Sequence, residues 1–135
     1  MSVKMEQLFR ALADRTRLRL LNLMGDNEVC VCFFVEILQI SQPRISRHLA
    51  YMKKVGIVAS RREGKWMHYR IVKPSDADAE RILTDVQQYL TNKKDMQRER
   101  KKLVKFCCST DLPSAIKYAP LPVLTGSVGP CTIRG

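Results

Sequence analysis

Five cysteines in 135 residues are the side chains with the most chemistry to offer. Cys30 and Cys32 are separated by Val31, Cys107 and Cys108 are adjacent, and Cys131 stands alone near the end. As reduced thiols they are ligands for soft centres or sites of redox chemistry, because the thiolate is the nucleophilic and metal-binding form. A helix expected from about Glu28 to Leu38, capped by Asp26 or Asn27, places Cys30 and Cys32 in its first turn. There the positive end of the helix dipole and basic neighbours lower a thiol's pKa. Positions i and i+2 of a regular helix point about 200° apart, so the two chelate one centre together only if that turn distorts. Such a distortion would move the helix that follows. Adjacent cysteines reach a single soft centre readily. The competing reading of Cys30 and Cys32 is a pair of small buried hydrophobes, and that of Cys131 is a tail thiol without a role.

A second constellation carries hydrogen-bond donors and positive charge. Ser41, Gln42, Arg44, Ser46, Arg47, His48 and Tyr51 fall on the polar side of a helix whose other side is Ile45, Leu49 and Met52. Ser41 sits at its N-cap, Pro43 in its first turn, and Gly56 beyond its end. Gln and Arg pair in bidentate fashion with adenine and guanine in the major groove. Arg61, Arg62, Lys65 and Arg70 lie on two strands expected over residues 57–62 and 65–72, joined at Glu63-Gly64, and suit phosphate or minor-groove contacts. On the second strand Met67, Tyr69 and Ile71 form an apolar face, while Trp66, His68 and Arg70 form a cationic and aromatic one.

The elements that must hold these residues are legible from periodicity. Met5, Leu8, Phe9 and Leu12 make a first helical stripe. Asp14 caps a second helix over Arg15–Met24. Residues from Pro74 open a long helix, with Ser75 and Asp78 spaced as a variant capping box. Its stripe of Ala79, Ile82, Leu83, Val86 and Leu90 is a candidate dimer seam together with the first helix, unless it only closes the monomer core. Residues 92–105 are highly charged and read as a frayed helix end. Residues 109–135, with Pro113, Pro120, Pro122 and Pro130, read as a flexible tail. The expected organisation is therefore a domain over 1–92 for DNA binding and dimerisation, and an appended charged and cysteine-containing segment over 93–135. Helix, tight turn, helix and basic hairpin in that order make a mainly α winged helix-turn-helix.

Composition agrees. The net charge is +11, and +8 of it falls in residues 1–73. So basic a chain needs an acidic partner such as nucleic acid or an anionic membrane surface. No apolar run approaches the roughly 18 residues that span a bilayer, and Met1 to Glu6 lacks a signal peptide's apolar stretch. A cytoplasmic location with reduced thiols is the expectation.

The residues also carry a family resemblance. Ala11-Leu12-Ala13-Asp14-Arg15-Thr16-Arg17-Leu18, Ser41-Gln42-Pro43-Arg44-Ile45-Ser46-Arg47-His48-Leu49, Gly56-Ile57-Val58, and Arg61 through Arg70 resemble the ArsR/SmtB metalloregulators over roughly residues 4–90. That resemblance implies a homodimer through the first and last helices, binding to double-stranded operator DNA, and repression relieved by an inducer. Cys30-Val31-Cys32 resembles the family's arsenic-binding Cys-Val-Cys, and some members place vicinal cysteines, as Cys107-Cys108 here, near the end of the last helix. The implied inducer is trivalent arsenic, inorganic or methylated, or antimony. Three thiolates suit inorganic arsenic, whereas two suffice for a monomethylated form. The sequence departs from the pattern at Phe33, Phe34 and Val35, where such sensors carry Asp and often a further Cys, and at Gln39, where many relatives have Gly. The family's zinc site is not visible, since Asp85 lacks a His partner and neither His48 nor His68 has a ligand at metal spacing. A redox-sensing repressor is the alternative within regulators. A thiol enzyme is disfavoured, because no Gly-rich anion cradle and no Ser/His/Asp grouping appears.

Overall fold

The computed structural model describes residues 3–109 and 112–122 of the chain. Helix α1 spans Met5–Leu12 and buries Leu8 and Ala11, leaving Phe9 on the outside. Helix α2 spans Arg15–Met24. Asp14 caps it as its sequence predicts, accepting the Arg17 amide at 3.0 Å, which satisfies one of the orphan donors of a helix N-terminus.

The next segment differs from expectation. Val29–Cys30 is a short strand, β1, and helix α3 spans only Val31–Leu38 with Cys30 at its N-cap position. The cause lies about forty residues away. Val29 and Cys30 pair antiparallel with Tyr69 and His68, and an extended partner draws these backbone groups out of the helix. Gln39 ends α3 in the left-handed conformation, φ 56°, which costs a non-glycine residue on the order of 1 kcal/mol. Its side chain donates back to the Glu36 carbonyl at 2.6 Å.

Helix α4, Gln42–Val55, follows after a short turn and buries Ile45, Leu49, Met52 and Val55. Ser41 occupies its N-cap position without a side-chain capping bond. Gly56 stops it at φ 101°, and its amide closes onto Met52 and Lys53 carbonyls at 3.1 Å. Strands β2, Val58–Glu63, and β3, Trp66–Ile71, form the hairpin. Glu63 pairs with Trp66, so the two-residue turn is Gly64-Lys65, one position later than expected. Gly64 takes φ 60° at its first position, where a side chain would be strained. The sheet order is β1-β3-β2. That makes β3 central and puts His68 between Cys30 and Arg61. His68 is consequently buried, at 5% exposure, rather than displayed on a cationic face.

Helix α5, Ala77–Thr91, is capped by Asp76, which accepts from the Asp78 amide; Ser75 plays no part in the cap. It buries Ala79, Leu83 and Leu90 and leaves Tyr89 exposed. The charged stretch after it is no frayed end. Lys94–Cys108 forms a separate 15-residue helix, α6, burying Met96, Leu103 and Cys107. Its charges explain why: Asp95 pairs with Arg15 and Glu99 with Arg19 of α2, and the Asn22 amide donates to the Met96 carbonyl at 2.9 Å. Beyond it a 3-10 turn, Ser114–Ile116, buries Ile116 near α3. Among the described residues no helix is long and apolar enough to cross a membrane.

Candidate functional site

Two surfaces concentrate the residues singled out above. On the first, α4 presents Ser41, Gln42, Arg44 and Arg47 to solvent, with Ser46 and His48 half-buried beneath them. Its apolar face is fixed in the core by Ile45 and Leu49, so the polar residues are held on a rigid rod. Arg17 of α2, unremarkable in sequence, organises this surface from behind. Its Nε donates to the Ala11 carbonyl at 2.9 Å, its guanidinium lies over the Tyr51 ring at 4.5 Å, and one terminal nitrogen donates to His48 Nδ1 at 3.3 Å. A guanidinium has only donors, so Nδ1 must accept and His48 is neutral. Burial pushes its pKa down, as do Arg17, Arg44 and Arg47, against the pull of Asp14.

The hairpin residues are less alike than their sequence suggests. Arg62 is exposed and donates to the Gly64 carbonyl at 3.0 Å, which braces the turn. Lys65 is at the tip, 5.0 Å over the Trp66 ring, and Arg70 is exposed on β3. Trp66 lies beside the tip. Arg61 is engaged with Glu28 through two bonds of 3.0 and 2.6 Å, with Glu63 at 3.4 Å. The Arg61 bond holds the Glu28 carboxyl below its usual range. This pair ties β2 to the segment leading into β1, and it leaves Arg61 less charge to give to a phosphate.

The second site is the cysteine pair. Because Cys30 ends a strand and Cys32 lies in the first turn of α3, the 200° separation of a regular helix does not apply. The two sulfurs lie 3.1 Å apart, with the Cys32 thiol donating to Cys30. That bond brings the Cys30 pKa down to about 7, against the opposing effect of burial, with backbone groups of Cys32, Met67 and Val31 helping. Cys32 is pushed up, because Cys30 holds its proton and burial disfavours its charge. Cys30 is thus the sulfur of the pair that ionises first, with the Cys32 proton held between them, which suits binding of a thiophilic centre. Among the described residues no group of three His, Cys, Asp or Glu side chains stands ready as a metal site. The other pair is arranged differently: Cys107 is buried and Cys108 is disulfide-bonded. Cys131 lies outside the described residues.

An exposed recognition helix braced from behind, beside a basic three-stranded wing, defines a winged helix-turn-helix DNA-binding regulator. The comparisons agree. Residues 14–60 match the model of the bacterial regulatory protein arsR family. The chain is 44% identical over 80 residues to the arsenical resistance operon repressor of Escherichia coli, covering 58% of this chain and 68% of that one. It is 46% identical over 65 residues to an arsenic resistance transcriptional regulator of Pseudomonas putida, covering 47% and 51%. In structure it is similar to HlyU from Vibrio cholerae, with TM-score 0.54 and 27% identity over 62% of this chain and 88% of that one. The chain belongs to the ArsR family, whose members are DNA-binding transcriptional regulators and not enzymes.

Proposed function

We propose that the protein is a homodimeric repressor that holds operator DNA until Cys30 and Cys32 capture a trivalent arsenical. The observation that carries this reading is the 3.1 Å approach of the two sulfurs at a strand-to-helix junction. The names of the relatives support the inducer class, since two are arsenic resistance regulators. Ser41, Gln42, Arg44, Ser46, Arg47 and His48 would read the major groove, with Arg62, Lys65 and Arg70 on phosphates and Arg61 as a brace. The dimer would form through α1 and α5, where Phe9 and Tyr89 stay 54% and 57% exposed in the monomer.

The chemistry follows from the shared proton. Cys30 reacts first, as the sulfur already half ionised near pH 7. The hydroxide that Cys30 displaces takes a proton from solvent and leaves as water; Cys32 then gives its own proton to the second hydroxyl as its bond forms, and that hydroxyl leaves as water too. Two sulfurs fit a monomethylated arsenical, whose methyl group fills the third position; arsenite and antimonite would need a third donor from outside this pair. Release of DNA follows because β1 is hydrogen-bonded to the wing strand β3 and α3 is packed on α4. A shift of the Cys30–Cys32 backbone is therefore felt by both DNA-facing elements.

Fluorescence anisotropy of the reduced protein on its promoter DNA, titrated with methylarsenite and arsenite, tests this directly. Methylarsenite should release the wild type and the double variant Cys107→Ser/Cys108→Ser, but not Cys30→Ser/Cys32→Ser. Release lost only in the Cys107/Cys108 variant would move the sensor to the end of α6. Release by peroxide without any arsenical would replace the reading with a redox repressor.

A further inference from the structure

Between α2, α5 and α6 lies a cavity of about 260 Å³ that neither the DNA-facing surface nor the cysteine pair uses. Its α6 wall carries Arg100. One terminal nitrogen of this guanidinium donates to the Thr91 carbonyl at 2.8 Å, but Nε, shielded from solvent, has no partner. Buried donors are nearly always satisfied, so a shielded Nε on this half-buried guanidinium calls for an acceptor. The acids nearest along α6 are committed elsewhere, Asp95 to Arg15 and Glu99 to Arg19. Burial accordingly pushes the Arg100 pKa down.

The rest of the lining says what the missing acceptor is. Gln87 and Thr84 of α5 face the same space, and Asp26 lines it from an exposed position. A carboxylate on the rim repels a doubly charged anion more than a singly charged one. The volume falls just under the roughly 300–1,000 Å³ of pockets for drug-sized ligands. The α6 wall also lies outside residues 14–60, the stretch matched by the family model. We propose that this cavity is a second ligand site, taking a small monoanionic carboxylate of a few carbons that accepts a hydrogen bond from Arg100 Nε, with Gln87 and Thr84 completing its contacts.

The side-chain Nε–H resonance of Arg100, assigned by its loss in Arg100→Lys, reports the site in a proton–nitrogen correlation spectrum of the full chain. Acetate and propionate are titrated beside chloride at matched ionic strength and beside inorganic phosphate. A saturable shift at millimolar propionate is expected, with at least threefold weaker binding of phosphate and none of chloride. Backbone shifts at Gln87 and Thr91 should vanish in Arg100→Gln. They should vanish too in Thr84→Trp, which obstructs the cavity while keeping the guanidinium and is checked for folding by circular dichroism. A linear, unsaturated response, equal binding of phosphate, or carboxylate binding that survives in Thr84→Trp overturns the proposal.

Discussion

At the scale of single residues, the informative side chains are those whose partners lie far away in sequence. Cys30 is an example: its lowered pKa comes first from the Cys32 thiol and only then from backbone groups. Alkylation by iodoacetamide should therefore rise with pH through a midpoint of about 7 in the wild type. The sign is that of a depressed acid, reactive above its pKa and protected below it. In Cys32→Ala the midpoint should move back up toward an ordinary thiol, because the donor that stabilises the thiolate is gone; an unchanged midpoint would mean that the backbone alone sets it. Of the cysteines, identity and spacing were plain from the chain. Their approach was not, since helical periodicity alone places i and i+2 on opposite sides. Arg17 was likewise invisible: it is one arginine among several, and only the tertiary fold puts it against His48 and Tyr51.

At the scale of elements, α4 and the hairpin would divide the work of holding DNA in the proposed complex. Arg44 on α4 and Arg62 at the turn are exposed, whereas Arg61 is bonded to Glu28. Each lost phosphate contact lowers the slope of log affinity against log salt by about 1. Arg62→Ala and Arg70→Ala should each flatten that slope by about this amount per contact, with binding measured between low and moderate salt. Arg61→Ala should flatten it less than either. An equal effect for Arg61 would show that DNA pulls it away from Glu28. Element boundaries were legible where local chemistry sets them: the Asp14 cap, the Gly56 stop and the Ile45-Leu49-Met52 face of α4 all stand as the sequence predicts. They were not legible where a strand partner decides, as at Val29–Cys30.

At the scale of the molecule, α6 changes what the family core is packed against. The Arg19–Glu99 pair has side chains only 24% and 12% exposed, so removing one partner strands a mostly buried charge. Glu99→Ala should cost about 2 kcal/mol in urea unfolding, whereas Arg15→Ala, whose side chain is 69% exposed, should cost less than about 1 kcal/mol. Equal losses would mean that α6 is held by its apolar residues Met96 and Leu103 rather than by Glu99. Assembly is a separate question. If α1 and α5 form the proposed dimer seam, Phe9→Glu combined with Tyr89→Glu should yield a monomer by sedimentation velocity while leaving the helical signal intact. A persistent dimer would place the seam elsewhere.

The sequence by itself determined the winged helix-turn-helix plan, the polar face of α4, the basic hairpin and the presence of two close cysteine pairs. These depend on periodicity, capping residues and turn glycines, all of which act within a few residues. The tertiary structure decided four further things. It drew Val29 and Cys30 into a strand, buried His68 in the centre of the sheet, turned a charged segment into a packed helix, and brought two sulfurs to 3.1 Å. Each rests on a hydrogen bond, an ion pair or a packing contact between segments distant in the chain. Local propensity carries no record of such partners, because their free energy appears only once both segments are in place.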